Sequence, residues 1–144
     1  MHRMMLRQTA FLLLLLPVSL FAQDPREEQG YFTDPRSTPY GTICSNNYAS
    51  ALYLVQDGSF QELLAAAGCG SYYTLSYDRQ RIGLKLVDGN GFQTPAVYDL
   101  STRSLLTLSA PARQIGQVSF TADGQVAFTR GELLDSRRHW WYGG

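Results

Sequence analysis

The chain has 144 residues, 44% of them hydrophobic and 17% charged, with 12 basic and 12 acidic side chains and a formal net charge of zero. That balance carries no electrostatic footprint for a nucleic acid or an anionic membrane surface. Long 3.6-residue patterns are missing, which excludes a helical array.

The first segment, Met1 to Ala22, combines Arg3 and Arg7, an unbroken hydrophobic run from Ala10 to Leu16, and the small Ala22 ahead of the polar Gln23-Asp24-Pro25. This is the pattern of a secretory signal peptide, cleaved after Ala22. The run is too short and wrongly flanked for a spanning helix, so no stable membrane span is expected after cleavage; a retained N-terminal anchor is the alternative. No cysteine closely follows the run, which argues against a lipid-anchored form. Loss of Arg3 and Arg7 leaves 10 basic against 12 acidic residues, a net charge of −2, on a chain expected in the periplasm or outside the cell.

Gln23 to Gln29 reads as a flexible lead. Tyr31-Phe32-Thr33 predicts a short strand ended by Asp34-Pro35, and Gly41 to Cys44 a second, followed by a turn at Ser45-Asn46-Asn47. Ala51 to Gln56 suits a pleated surface. Asp57-Gly58 signals a hairpin, and Phe60 to Ala66 returns. Taken alone, Gln61 to Ala67 passes for a helix on propensity, but the comparable run Ser104 to Ser109 alternates like a strand.

Four strands follow in order: Tyr72 to Tyr77, Ile82 to Val87, Thr94 to Leu100 and Ser104 to Ser109. Their turns are Asp78-Arg79-Gln80-Arg81, Asp88-Gly89-Asn90-Gly91 and Ser101-Thr102-Arg103, and Ile82, Leu84 and Leu86 share one face. Beyond Pro111, Ile115 to Phe120 and Val126 to Thr129 are joined across Asp123-Gly124. The pattern fails after Gly131, and Arg138 to Tyr142 takes the register of a third strand.

The units repeat. Thr33, Ser76 and Ser119, each following a large apolar residue, are spaced 43 residues apart twice, and Leu52-Tyr53 recurs 45 positions later as Val97-Tyr98. Several strands per period of about 40 to 50 residues indicate an all-β fold of antiparallel β-propeller blades. One blade is complete, about 72–109, and two are partial, about 31–66 and 115–142.

Val118-Ser119-Phe120-Thr121-Ala122-Asp123-Gly124-Gln125-Val126-Ala127-Phe128 resembles the first part of the TolB-type, WD-repeat-like propeller unit. Ile43-Cys44-Ser45 with Leu52-Tyr53 and Asp57-Gly58 resembles its second part. The likeness spans residues 30–132. It departs from the pattern at Ser76-Tyr77-Asp78-Arg79, which lacks the Pro-Asp-Gly turn, and at Tyr98-Asp99-Leu100, which leads into Ser101-Thr102. About three blade equivalents do not close a ring. The chain is therefore expected to be a piece of a longer protein, to self-associate through open blade edges, or to form a small sandwich.

Cys44 and Cys69 are the only cysteines, and export makes a disulfide between them the first expectation, with two buried free thiols the alternative. In a four-stranded blade both reach the rim that also carries Asn46, Asn47, Tyr48, Asp88, Asn90 and Arg113, the candidate partner-binding residues. Ordinary turn chemistry is the bland account of each. Tyr72, Tyr73 and Tyr77 with Trp140, Trp141 and Tyr142 offer an aromatic surface, or else inter-blade packing. No Gly-x-Ser-x-Gly elbow, metal-ligand pairing or phosphate loop is present, so no catalytic residue, metal or cofactor is assigned. The reading is a non-catalytic scaffold for a protein or cell-envelope partner. The alternative is the N-terminal propeller part of a prolyl-oligopeptidase-like hydrolase with its catalytic domain elsewhere.

Overall fold

The computed structural model describes residues 32–133 and 140–143. The expected signal peptide and flexible lead lie outside the described residues, as does Arg138. Every regular element among the described residues is a strand, and all pairing is antiparallel.

The first sheet is a complete meander of β1 (Phe32–Thr38), β2 (Gly41–Asn46), β3 (Ala51–Gln56) and β4 (Ser59–Ala65). The first unit is thus four-stranded, against the partial blade expected there. Asp34-Pro35 does not end β1. It forms a bulge between Thr33 and Arg36, with Asp34 at φ 49°, and pairing with β2 resumes at Arg36. An edge strand tolerates this, because the proline, which has no N–H to donate, falls in the unpaired step.

The β3–β4 hairpin turns on Asp57 and Gly58, both at positive φ (50° and 76°), as a two-residue loop matched to strand twist requires. The helix-favouring run after it is a strand. A register shift opposite Leu52 and Tyr53 leaves Leu63 as the extra residue, so Leu63 and Leu64 both pack on the core.

The second meander joins β5 (Thr74–Leu75), β6 (Arg81–Val87), β7 (Gln93–Asp99) and β8 (Ser104–Thr107), in agreement with the expected order. Pro95 sits in an inner strand, where a proline normally removes a ladder bond. Its carbonyl accepts from Leu108 N (2.9 Å), so its missing N–H faces the point where β8 has already ended.

The third region departs most from expectation. Ile115 to Phe120 is not one strand but β9 (Gln114–Ile115) and β10 (Ser119–Phe120), which belong to different sheets. Gly116 separates them. It donates to Thr129 O (2.8 Å), and a Cβ there would lie 2.1 Å from Thr129 Oγ1, so only glycine permits the approach. β10 pairs with β11 (Val126–Ala127), while β9 pairs with β12 (Arg130–Leu133) and β12 with β13 (Trp140–Gly143). The expected third strand therefore pairs with β12 and not with β11.

One core joins the two meanders. Ile43, Leu52 and Leu54 of the first pack with Ile82, Leu84, Ala96 and Tyr98 of the second, and Leu86 lies against them, so the predicted face of β6 is the buried one. The contact is head to tail. Leu52 and Tyr53 lie on opposite faces of β3, and Leu52 faces the second meander while Tyr53 faces away with Cys44, Ala51 and Phe32. Tyr98 faces back to the first meander, whereas its neighbour Val97 lies on the opposite face of β7 and lines a groove whose far side is Val126 of β11. A two-fold sandwich would bring equivalent faces together; here the forward face of one unit meets the backward face of the next.

Polar contacts follow the same direction. Arg36 of the first unit stands over the Tyr73 ring (5.5 Å), and Arg81 of the second over Phe120 of the third (5.2 Å). Thr74 Oγ1 donates to Val118 O (2.5 Å), and a Cβ on Gly83 would come within 2.8 Å of that oxygen. Tyr73 is fully buried between the meanders, and its hydroxyl donates to the carbonyls of Asp34 and Ile43 (3.3 Å to the latter).

The landmark spaced 43 residues apart does not mark equivalent sites. The hydroxyl that spans the first turn of each unit belongs to Thr38, Ser76 and Thr121, which bond to the backbone of Tyr40 and Gly41, of Arg81, and of Gln125. Their turns differ in length, so counting at a fixed period misplaces them.

Burial is the main cause that pushes the Tyr73 phenol well above its ordinary value. The folded state holds this proton while unfolded tyrosine loses it near pH 10, so stability is fully present below about pH 10 and falls as the pH rises above it. Tyr73→Phe is expected to cost about 1–3 kcal/mol in denaturant unfolding at neutral pH, by leaving the two carbonyls without this donor. It should also flatten the alkaline loss; a variant as stable and as alkali-sensitive as the parent would refute the role.

Candidate functional site

The alternation of an antiparallel meander places its turns at two ends. One end carries the residues singled out as partner-binding, and the connection 66–72 ties them into a row. Ala66 N donates to Ser50 O (2.9 Å) and Gly70 N to Ala49 O (3.1 Å), which fastens the connection to the β2–β3 turn. Val87 N donates to Ala67 O (2.8 Å), which fastens the end of β6 to the same connection. Gln93 and Ala112 exchange backbone bonds of 2.8 and 2.9 Å, bringing in the segment that holds Arg113. The expected rim is therefore continuous, although its members differ in what they can do.

Asn46 is buried and structural. Its Oδ1 accepts from Ser50 N (2.9 Å) and Ala51 N (3.2 Å), and its Nδ2 donates to Ser50 Oγ (2.9 Å). Asn47 is exposed, and Tyr48 is 68% exposed. Asp88 closes its own turn, with Oδ1 accepting from Asn90 N and Phe92 N, both at 2.9 Å. Asn90 is exposed, and exposed Arg113 stacks its guanidinium 4.8 Å above Phe92. Phe92 was not singled out in sequence, since one aromatic in a turn carries no signal until its partner is seen.

The aromatic candidates separate. Tyr73 is core, whereas Tyr72 is 77% exposed on this rim and Tyr77 is 73% exposed at the opposite end of β5. The side chains of Trp140, Trp141 and Tyr142 lie outside the described residues. Both Ala49 (φ 53°) and Tyr72 (φ 54°) adopt the left-handed region that non-glycine residues rarely occupy. These two strained residues flank the Gly70–Ala49 bond, where a Cβ on Gly70 would meet Ser45 Oγ at 1.9 Å.

The opposite rim is built of self-contained turns. Ser76 Oγ donates to Asp78 Oδ1 (2.5 Å), Ser101 Oγ to Asp99 Oδ1 (2.6 Å), and Thr121 Oγ1 to Asp123. These hydroxyls are the leading reason that the three carboxyl groups lie below their ordinary range. Each carboxylate is taken up by its own turn, so no two of the three are arranged as an acid and a base.

Away from the rims, β8 is an exposed edge, with Leu106 65% exposed. Beside it a half-open groove of about 280 Å³ runs between Val97, Leu106 and Leu108 on one side and Val126 on the other. Among the described residues no three His, Cys, Asp or Glu side chains stand where they could hold a metal ion, and no helix is long and apolar enough to cross a membrane.

The expected disulfide is absent: Cys44 and Cys69 are both buried free thiols. Strand alternation is the reason. Cys44 packs with Ala51 and Tyr53 on the outer face of the first meander, while Cys69 packs with Ile43 and Leu52 in the shared core, its Sγ 3.9 Å from Leu64 O. The sheet stands between them, so folding the loops together cannot join them. Burial pushes both thiols up.

No family model matches the chain, and no curated protein or solved structure matches it either.

Thiol titration of the purified chain is expected to find two slowly reacting cysteines in the native state and two fast ones in denaturant without reductant. Fewer than two in denaturant would contradict the arrangement.

Proposed function

We propose that the chain is an exported, non-catalytic binding scaffold of TolB-type propeller repeats, which presents the rim of Asn47, Tyr48, Tyr72, Asp88, Asn90 and Arg113 to a protein or cell-envelope partner. Head-to-tail stacking of four-stranded meanders supports the propeller part of this reading, because it is how blades succeed one another around a ring. The observation that carries the binding part is the contrast between Tyr48 and Tyr72 and their backbone. Both rings are exposed at 68% and 77%, yet the loops that bear them are fastened to one another by hydrogen bonds. A rigid amphipathic ring held out from a fixed loop loses little conformational entropy on docking, which is why tyrosine is favoured at interfaces. Asn47 and Asn90 add exposed amide donors and acceptors, and Arg113 a planar cation held over Phe92.

The test is photo-crosslinking in the cell envelope from single positions. Crosslinks to a common partner are expected from Tyr48 and Tyr72 and not from Tyr77 on the opposite rim. Tyr48→Ala and Tyr72→Ala should each weaken capture about tenfold or more, in the range of a buried aromatic hot spot, with unfolding midpoints unchanged. Equal crosslinking from Tyr77, or none from either rim residue, would refute the assignment.

A further inference from the structure

The turn Asp88-Gly89-Asn90-Gly91 carries a chemistry that partner binding does not use. The chain has three asparagines, Asn46, Asn47 and Asn90, and only Asn90 precedes a glycine. With no side chain on Gly91, its backbone nitrogen can approach the side-chain carbonyl of Asn90 without steric obstruction. Asn90 is exposed, and a Cβ built on Gly89 or Gly91 meets nothing within 4 Å, so no neighbouring element hinders a change in the shape of this turn. Asn46 is the opposite case, buried with both ends of its side-chain amide engaged.

We infer that Asn90-Gly91 is a site of spontaneous deamidation whose rate is set by Asp88. In the step, the Gly91 nitrogen gives up its proton to solvent and its lone pair attacks Cγ of Asn90. The bond from Cγ to the side-chain nitrogen breaks, and that nitrogen leaves as ammonia with a proton from water. A five-membered succinimide remains, and a water molecule opens it at either carbonyl to give aspartate or isoaspartate. No oxidant or reductant takes part.

Asp88 restrains the first step. Its backbone carbonyl accepts from Gly91 N (3.0 Å), the nitrogen that must attack, and its carboxylate accepts from Asn90 N and Phe92 N, both at 2.9 Å. Attack therefore requires the turn to open, and the carboxylate bonds oppose opening. The product adds a carboxylate two residues from Asp88, on the rim proposed for the partner. The chemistry stands without that proposal, because its readout is mass.

The experiment incubates the full mature chain at mildly alkaline pH and maps a mass gain of about one dalton by peptide analysis. The gain is expected at Asn90 ahead of Asn46 and Asn47, several-fold slower in the native chain than in urea. Asp88→Ala should speed it several-fold in the native chain, and Asn90→Gln should abolish it. Any of three results overturns the inference: no gain at Asn90 in the native chain, earlier gain at Asn46 or Asn47, or an unchanged rate in Asp88→Ala. The urea-unfolded Asp88→Ala chain supplies the control for sequence effects. If it gains over the unfolded parent as much as the native variant does over the native parent, restraint by the folded turn is likewise overturned.

Discussion

The meeting of two non-equivalent sheet faces, with Tyr73 between them, is the constraint on which the rest of the structure depends. A four-stranded meander has two faces, and neither can be left to water when both carry side chains such as Leu52 and Tyr53. Ile43, Leu52 and Leu54 are covered by Ile82, Leu84, Ala96 and Tyr98, which buries one face of each meander in a single apolar layer. Tyr73 lies fully buried in that layer, and its hydroxyl reaches back to the carbonyls of Asp34 and Ile43. Because one of these belongs to the β1 bulge, the bulge, the edge strand and the next meander are held by one phenol.

The same constraint explains the rim. When units stack head to tail, the chain must return from the last strand of one meander to the first strand of the next, and residues 66–72 do this. The connection runs between the β2–β3 turn and the end of β6, bonded to both, and it delivers Tyr72 beside the turn that carries Tyr48. The backbone accepts left-handed conformations at Ala49 and Tyr72 there, each costing of order 1–3 kcal/mol and sustained by the surrounding bonds. Positioning of the exposed rings is thus a consequence of how the units are joined.

Much of this was legible in the sequence, and the exceptions have physical causes. The second meander announces itself because Ile82, Leu84 and Leu86 alternate between recognisable turns, and the rim follows from antiparallel connectivity alone. The Cys44–Cys69 pairing misled, because closeness along a rim says nothing about which face a side chain takes, and a single strand position decides that. The break at Gly116 was hidden because it depends on the close approach of Thr129 from another segment. Asn46 read as a surface polar residue, yet it is the buried peg of its turn; its side-chain amide bonds to Ser50 and Ala51, a local pattern open to any turn asparagine.

Head-to-tail stacking makes a demand that a two-fold sandwich of the same meanders does not: the adjacent residues Val97 and Tyr98 must look in opposite directions. The most direct measurement is a set of nuclear Overhauser contacts from these two side chains. The Tyr98 ring should contact methyl groups of the first meander, those of Leu52, Leu54 and Ile43, while the Val97 methyls contact none of these. Contacts from Val97 to Leu52 or Leu54, with the Tyr98 ring facing β11, would contradict the stacking and with it the account of the rim.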